Sequence, residues 1–162
     1  MTTINYRPFR AEDAPAVSAL ALTAWQATYR DIYAADFIED YVRRNYAPDQ
    51  LAALVPRVEA GDMFFHVAVD QATIAGFCHI GLAEEAAVLY RIYLDPAYIG
   101  RGVGGRLLEL GEAFVRAHGL PTLCCFVHSA NELGKRFYLR HWFRHQRERD
   151  HDDEWYMEKD LR

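Results

Sequence analysis

Apolar and polar positions alternate differently along the chain, and the change of period divides it into a helical first third and a strand-rich remainder. Residues 4–9 alternate and predict a first strand, because successive strand side chains point to opposite faces. Asp13 stands where it would cap a helix running through Leu20 and Trp25 to about Tyr29. A second helical stretch runs from about Asp36 through Phe37, Tyr41 and Val42. A third opens at Pro48, a favourable first-turn residue, and continues through Leu51, Leu54 and Val58 to Gly61. Segments 63–69 and 73–80 are β-rich, and the tight Asp70-Gln71 connection between them predicts a hairpin. Segment 87–94 is the next strand, stopped by Asp95-Pro96. Four glycines between positions 100 and 105 then lead into a helix. Its apolar face carries Val103, Leu107, Leu110, Phe114 and Val115, and Gly119 closes it. Residues 122–127 predict a short buried strand and residues 132–141 a helix. Residues 143–149 and 155–160 predict two closing strands around the polar turn 150–154. The whole, residues 1–162, is expected to be one α+β domain with a mixed, mostly antiparallel central sheet flanked by helices.

Composition narrows the function classes. Hydrophobic residues make up 51% and charged residues 25% of the chain, the balance of an ordinary globular protein. Its apolar runs fall far short of a membrane span, and the stretch from Met1 to Arg10 has no apolar leader core, so cytoplasmic residence is expected. The formal charge is −5 with no basic stripe, which disfavours a nucleic-acid partner and mildly favours cationic small molecules. Cys78, Cys124 and Cys125 are an odd count with an adjacent pair, and buried free thiols explain them better than disulfides do. No Cys or His pair has zinc-site spacing, and His141, His145 and His151 are too slight a motif to predict a metal.

The chemistry concentrates in the segment Ile92-Tyr93-Leu94 and, after Asp95-Pro96, in Ile99-Gly100-Arg101-Gly102-Val103-Gly104-Gly105. Glycine lets backbone approach a ligand closely. The first amides of a helix lack partners, and the helix dipole adds positive charge there. Together they make an anion site suited to a diphosphate, with Arg101 and Arg106 positioned to add charge. A phosphate-binding P-loop would need Lys-Ser/Thr after the last glycine, where this chain has Arg106-Leu107. A dinucleotide fingerprint would follow a first strand, whereas this turn lies two-thirds of the way along. A tight strand-to-helix connection that binds nothing is the remaining alternative, and four glycines in one short loop are costly without a ligand.

At these residues the chain resembles the GNAT superfamily of N-acyltransferases, whose motif Gln/Arg-x-x-Gly-x-Gly/Ala is met by Gly102 and Gly104, with Ile99 in place of the polar residue. Downstream, Asn131, Phe137, Tyr138 and Phe143 match the family's Asn-x-x-Ala-x-x-Phe-Tyr-x-x-x-Gly-Phe, with Gly134 in place of alanine and Trp142 in place of glycine. Arg91-Ile92-Tyr93-Leu94 resembles its Arg-Ile-Tyr-Val strand, and 155–161 its last strand. The resemblance implies acetyl-CoA as co-substrate and no metal. It implies that Ile92, Tyr93 and Leu94 align the pantetheine arm, that residues 99 to 105 cradle the diphosphate, that Asn131 contacts the arm, and that Tyr138 is a general acid. Trp25, Tyr29 and Tyr33 would line a small-molecule amine site, where aromatic faces favour a cation; core packing accounts for them equally well. A homodimer is common in the family, and no residue here decides for it.

Freeing an alkylamine with pKa near 10.4 at pH 7 costs roughly 4–5 kcal/mol, so a base is useful. Many relatives carry a glutamate at the position of Val88 here. Glu84, Glu85, His79 and, more weakly, Tyr90 remain as candidates, or a water. Other readings stay open: a protein N-terminus or lysine as acceptor, a non-catalytic acyl-CoA sensor, and a nucleotide-binding module using the same turn.

Overall fold

The computed structural model describes residues 3–162; Met1 and Thr2, at the head of the stretch in which a leader core would lie, are outside the described residues. The strands are β1 (Asn5–Pro8), β2 (Met63–Asp70), β3 (Thr73–Leu82), β4 (Ala87–Leu94), β5 (Thr122–His128), β6 (Arg144–His145) and β7 (Glu154–Asp160). Among the described residues they form one sheet in the order β1-β2-β3-β4-β5-β7-β6. Every neighbouring pair is antiparallel except β4 and β5, so the expected mixed, mostly antiparallel α+β arrangement is what the chain adopts.

The sheet is covered on both sides, and this is why β2 and β3 read as nearly continuous apolar runs. Phe65, Val67 and Phe77 enter one core with helices α1 (Ala14–Tyr29), α2 (Ala35–Asn45), α3 (Pro48–Ala52) and α4 (Val55–Glu59). Phe64, Cys78 and Ile80 enter the other with α5 (Val103–Ala117) and α6 (Glu132–Arg140). Along α1, Val17, Leu20, Ala21, Ala24, Trp25 and Tyr29 are buried, the 3–4 spacing of a helix packed by one face.

Several elements depart from the expected ones. The third helical stretch is two short helices, because Pro56 has no N–H to continue the ladder and its ring crowds the preceding turn. Strand β2 runs on to Asp70, so the hairpin turn is Gln71-Ala72, with Gln71 at φ 55°. Asp13 does not cap α1 with its side chain. Its carboxylate instead accepts two bonds from Arg7, at 2.7 and 2.8 Å, and one from the Arg10 amide, tying β1 to the helix. The strand expected over 143–149 is only β6: the Asp150 carboxylate takes the Tyr156 N–H and turns the chain away after two paired residues.

Two irregularities in β4 shape the functional end of the sheet. His79 pairs with Arg91 and Ile80 with Leu89, so Tyr90 is an extra, unpaired residue. Such a bulge bends its strand and increases twist. The parallel pairing of β4 with β5 then stops at Leu89↔Cys125, while β5 stays paired with β7 as far as His128. Beyond that point the sheet splits into a wedge.

Candidate active site

The wedge is a cavity of about 470 Å³. One wall is the edge of β4 from Ile92 to Leu94, which has no strand partner on this side. The other is β5 at Phe126 and Val127 with the start of α6. At its mouth the chain turns through Gly100 and Gly102, whose φ values of 79° and 82° are left-handed. Side chains other than glycine reach that region at a cost of about 1–2 kcal/mol. The α5 ladder begins with the Arg106 N–H donating to the Gly102 carbonyl, so the amides of 103–105 have no intrahelical acceptor. A Cβ on Gly104 would sit 3.2 Å from the Phe137 ring, and one on Gly105 would sit 3.0 Å from His141. These glycines let α6 close down on the start of α5.

Ile99, Gly100, Gly102, Gly104 and Gly105 line this cleft, and Arg101 and Val103 do not. The Arg101 guanidinium lies over the Tyr98 ring, 4.7 Å from its centre, and Val103 is buried in the core. Arg106 is paired with Glu109 at 2.7 Å. Arg140 and His141, at the end of α6, line the cleft instead. Sequence pattern did not single them out for this, because it registers α6 only as an amphipathic helix and not where its last turn points.

Tyr138 lines the floor of the cleft and is 7% exposed. Burial raises its hydroxyl well above the ordinary tyrosine range, and the neighbouring Cys125 thiol adds to the shift. Burial also raises the Cys78 and Cys125 thiols, so neither is a nucleophile at neutral pH. The Asn131 side chain accepts from the Gly134 amide at 2.9 Å, starting α6, and its Nδ2 approaches the Tyr29 hydroxyl at 3.5 Å. Tyr29 in turn meets the Tyr93 hydroxyl at 3.4 Å. This chain of groups joins α6, α1 and β4 across the head of the cleft.

A second cavity, of about 430 Å³, adjoins the first and shares Tyr29, Tyr90, Tyr93 and Phe126 with it. Trp25, Tyr29 and Tyr33 all line it. Trp25 stacks on Tyr41 at 4.2 Å, and Tyr33 meets the His128 ring edge-on at 5.6 Å. Its polar groups are His79, Arg91, Asn45, His128 and Glu154. Glu154 arrives through its pairing with His128 at the end of the β5–β7 ladder. By sequence it lies in a polar turn, and only strand pairing brings it here.

The candidate bases separate clearly. Glu84 and Glu85 are exposed in the β3–β4 turn and line neither cavity. Val88 pairs with Gly81 and Cys124, away from both. Tyr90 lines both cavities and is 61% exposed. His79 lines the second cavity but is lowered to about 3, by burial first and then by Arg91 and Arg57. It is neutral at pH 7 and a weak base.

Comparison with known proteins gives the same direction. A sequence model of the Acetyltransferase (GNAT) family matches residues 24–143. The chain is 29% identical over 143 residues to a spermidine N(1)-acetyltransferase of Thermoplasma acidophilum, covering 88% of this chain and 89% of that protein. The crystal structure of the PaiA N-acetyltransferase from Thermoplasma acidophilum in complex with coenzyme A superposes with a TM-score of 0.93 at 28% identity, over 98% of this chain and 99% of that one. A GNAT-family acetyltransferase from Staphylococcus aureus shares the fold, with a TM-score of 0.78 at 15% identity over 99% and 100% of the two chains.

Proposed function

Because the chain belongs to the acetyltransferase (GNAT) family, we propose that it moves the acetyl group of acetyl-CoA to a primary amine of a small molecule, by direct attack of the amine on the thioester. The observation that carries this reading is the pair of adjoining cavities with a common tyrosine-rich wall. One cavity suits a long thioester ending in a diphosphate, and the other suits a compact cationic acceptor. The relative's activity on spermidine supports a small amine over a protein.

In this reading the free edge of β4, Ile92 to Leu94, aligns the pantetheine arm, and a backbone amide there stabilises the tetrahedral oxyanion, worth up to a few kcal/mol. The amides of residues 99–105 hold the diphosphate at the positive end of α5, and Arg140 adds charge at the mouth. Asn131 contacts the arm and, through Tyr29, fixes the common wall. The amine enters from the aromatic cavity lined by Trp25, Tyr29 and Tyr33. Glu154, the one carboxylate among the residues lining that cavity, holds the ammonium or takes its proton through a water. Tyr138 gives a proton to the departing thiolate. Tyrosine and an alkyl thiol differ by about 1.5 pKa units, or roughly 2 kcal/mol. Burial of Tyr138 widens this gap, and burial of the thiol in the same apolar cleft works against the widening.

The test is incubation with acetyl-CoA and a panel of primary amines that includes spermidine, beside a peptide with a free N-terminus and a lysine, with products weighed by mass spectrometry. Acetylated amine with unmodified peptide is expected. Acetylated peptide alone would replace this reading with the protein-directed one.

A further inference from the structure

We propose that the acceptor carries a carboxylate as well as its amine, and that Arg91 binds this carboxylate inside the aromatic cavity. The inference rests on the acetyltransferase reading, with the second cavity as the acceptor site.

Arg91 lines that cavity from β4. Part of its side chain is engaged in holding the fold. Nη2 donates to the Asn45 carbonyl at the end of α2, 3.1 Å away, and the guanidinium lies 4.4 Å above the Tyr46 ring. These contacts leave Nη1 unused. It is buried and has no hydrogen-bond partner, and no carboxylate among the described residues pairs with Arg91.

A second observation falls at the same place. His79 is the register partner of Arg91 across the β3–β4 ladder. It is 6% exposed, lines the same cavity, and neither ring nitrogen has a partner. A buried donor without an acceptor is costly, and here two side chains carry such donors next to each other. The neutral His79 ring offers one N–H, and Arg91 Nη1 offers its own. A carboxylate has two oxygens to receive them, and its single charge balances the guanidinium. At the same cavity Glu154 supplies the carboxylate that an ammonium needs. An amino acid therefore meets a partner for each of its charges, whereas a purely cationic amine leaves Arg91 unanswered.

The experiment compares matched acceptors that differ only in the carboxylate: lysine with cadaverine, and phenylalanine with phenethylamine. Thiol release from acetyl-CoA is followed for the unaltered chain, Arg91→Gln and Arg91→Lys. The unaltered chain should favour the amino acid of at least one pair by about tenfold or more in kcat/KM, mainly through KM, the size of one charge-assisted hydrogen bond. Arg91→Gln should lose this preference and Arg91→Lys should regain part of it. Amines that equal or exceed their amino acids in the unaltered chain would overturn the inference while leaving the acetyltransferase intact. An equal loss for both members of each pair in Arg91→Gln would also overturn it, since that is what a purely structural role at the end of α2 predicts. Binding of acetyl-CoA with no acetylation of small amines of either kind would remove the small-amine reading itself, and this inference with it.

Discussion

Tyr138 and His79 show how burial assigns protons before any substrate arrives. The Tyr138 hydroxyl is raised well above the ordinary range by burial, so it carries a proton throughout the working pH range and never competes as a base. Its replacement by Phe should lower kcat by about 100-fold, within the span of general acid catalysis. KM for acetyl-CoA should be little changed, because the ring still fills the floor. Steady-state kinetics decides this, and an unchanged kcat would remove Tyr138 from the chemistry. The same shift predicts the pH profile. With an acceptor amine near 10.4, kcat/KM for the amine should climb with pH from about 6 to 9, as its neutral form increases. A falling limb from Tyr138 should be absent there, because its deprotonation lies higher; a decline near pH 8 or 9 traced to Tyr138 would contradict its burial.

At the scale of elements, the turn into α5 and the bulged β4 make the cleft, and they differ in how far sequence reveals them. Four glycines before an amphipathic helix are legible because left-handed φ and crowded helix starts need glycine, and Gly100, Gly102, Gly104 and Gly105 meet those needs. Gly102→Val should weaken acetyl-CoA binding at least tenfold by calorimetry, since a β-branched residue resists φ 82°. Normal affinity in a folded variant would refute the loop assignment. The β1–α1 junction gives a stability test. Burial pushes the Asp13 carboxyl up, but the Arg7 pair and the Arg10 amide outweigh it and leave it lowered. Asp13→Ala would strand Arg7 and free the Arg10 amide, and should cost about 2–3 kcal/mol in denaturant unfolding. The bulge at Tyr90 has no sequence signature, since an inserted strand residue looks like any other. Arg91, Glu154 and Arg140 were illegible as site residues for a related reason: strand register and helix direction bring them to the cavities, and neither is written in local periodicity. Trp25, Tyr29 and Tyr33 could be proposed because the family resemblance implies that the first helical region lines the acceptor pocket, although pattern alone does not separate a core from a cavity wall.

For the whole molecule, the two-faced burial of β2 and β3 has a consequence for acid stability. His66 is lowered to about 4 and His79 to about 3, each chiefly by burial, while the unfolded chain titrates its histidines near 6.5. Between these values the unfolded state binds more protons, so stability is full above about pH 6.5 and falls as pH drops toward 4. Melting temperature should fall over this window, and His79→Phe should flatten part of the fall; a melting temperature independent of pH from 7 to 4 would contradict the buried neutral histidines.

One measurement bears most directly on the claim that the split sheet holds coenzyme A while the aromatic cavity holds the amine. It is a crystal structure of the chain with coenzyme A and an acetylated amine bound together. The account predicts the diphosphate on the amides of 99–105, the sulfur near Tyr138, and the acetylated nitrogen at the wall shared by Tyr29, Tyr90 and Tyr93, with the rest of the product among Trp25, Tyr33 and Glu154. Coenzyme A outside the wedge, or a product that leaves the aromatic cavity empty, would contradict it.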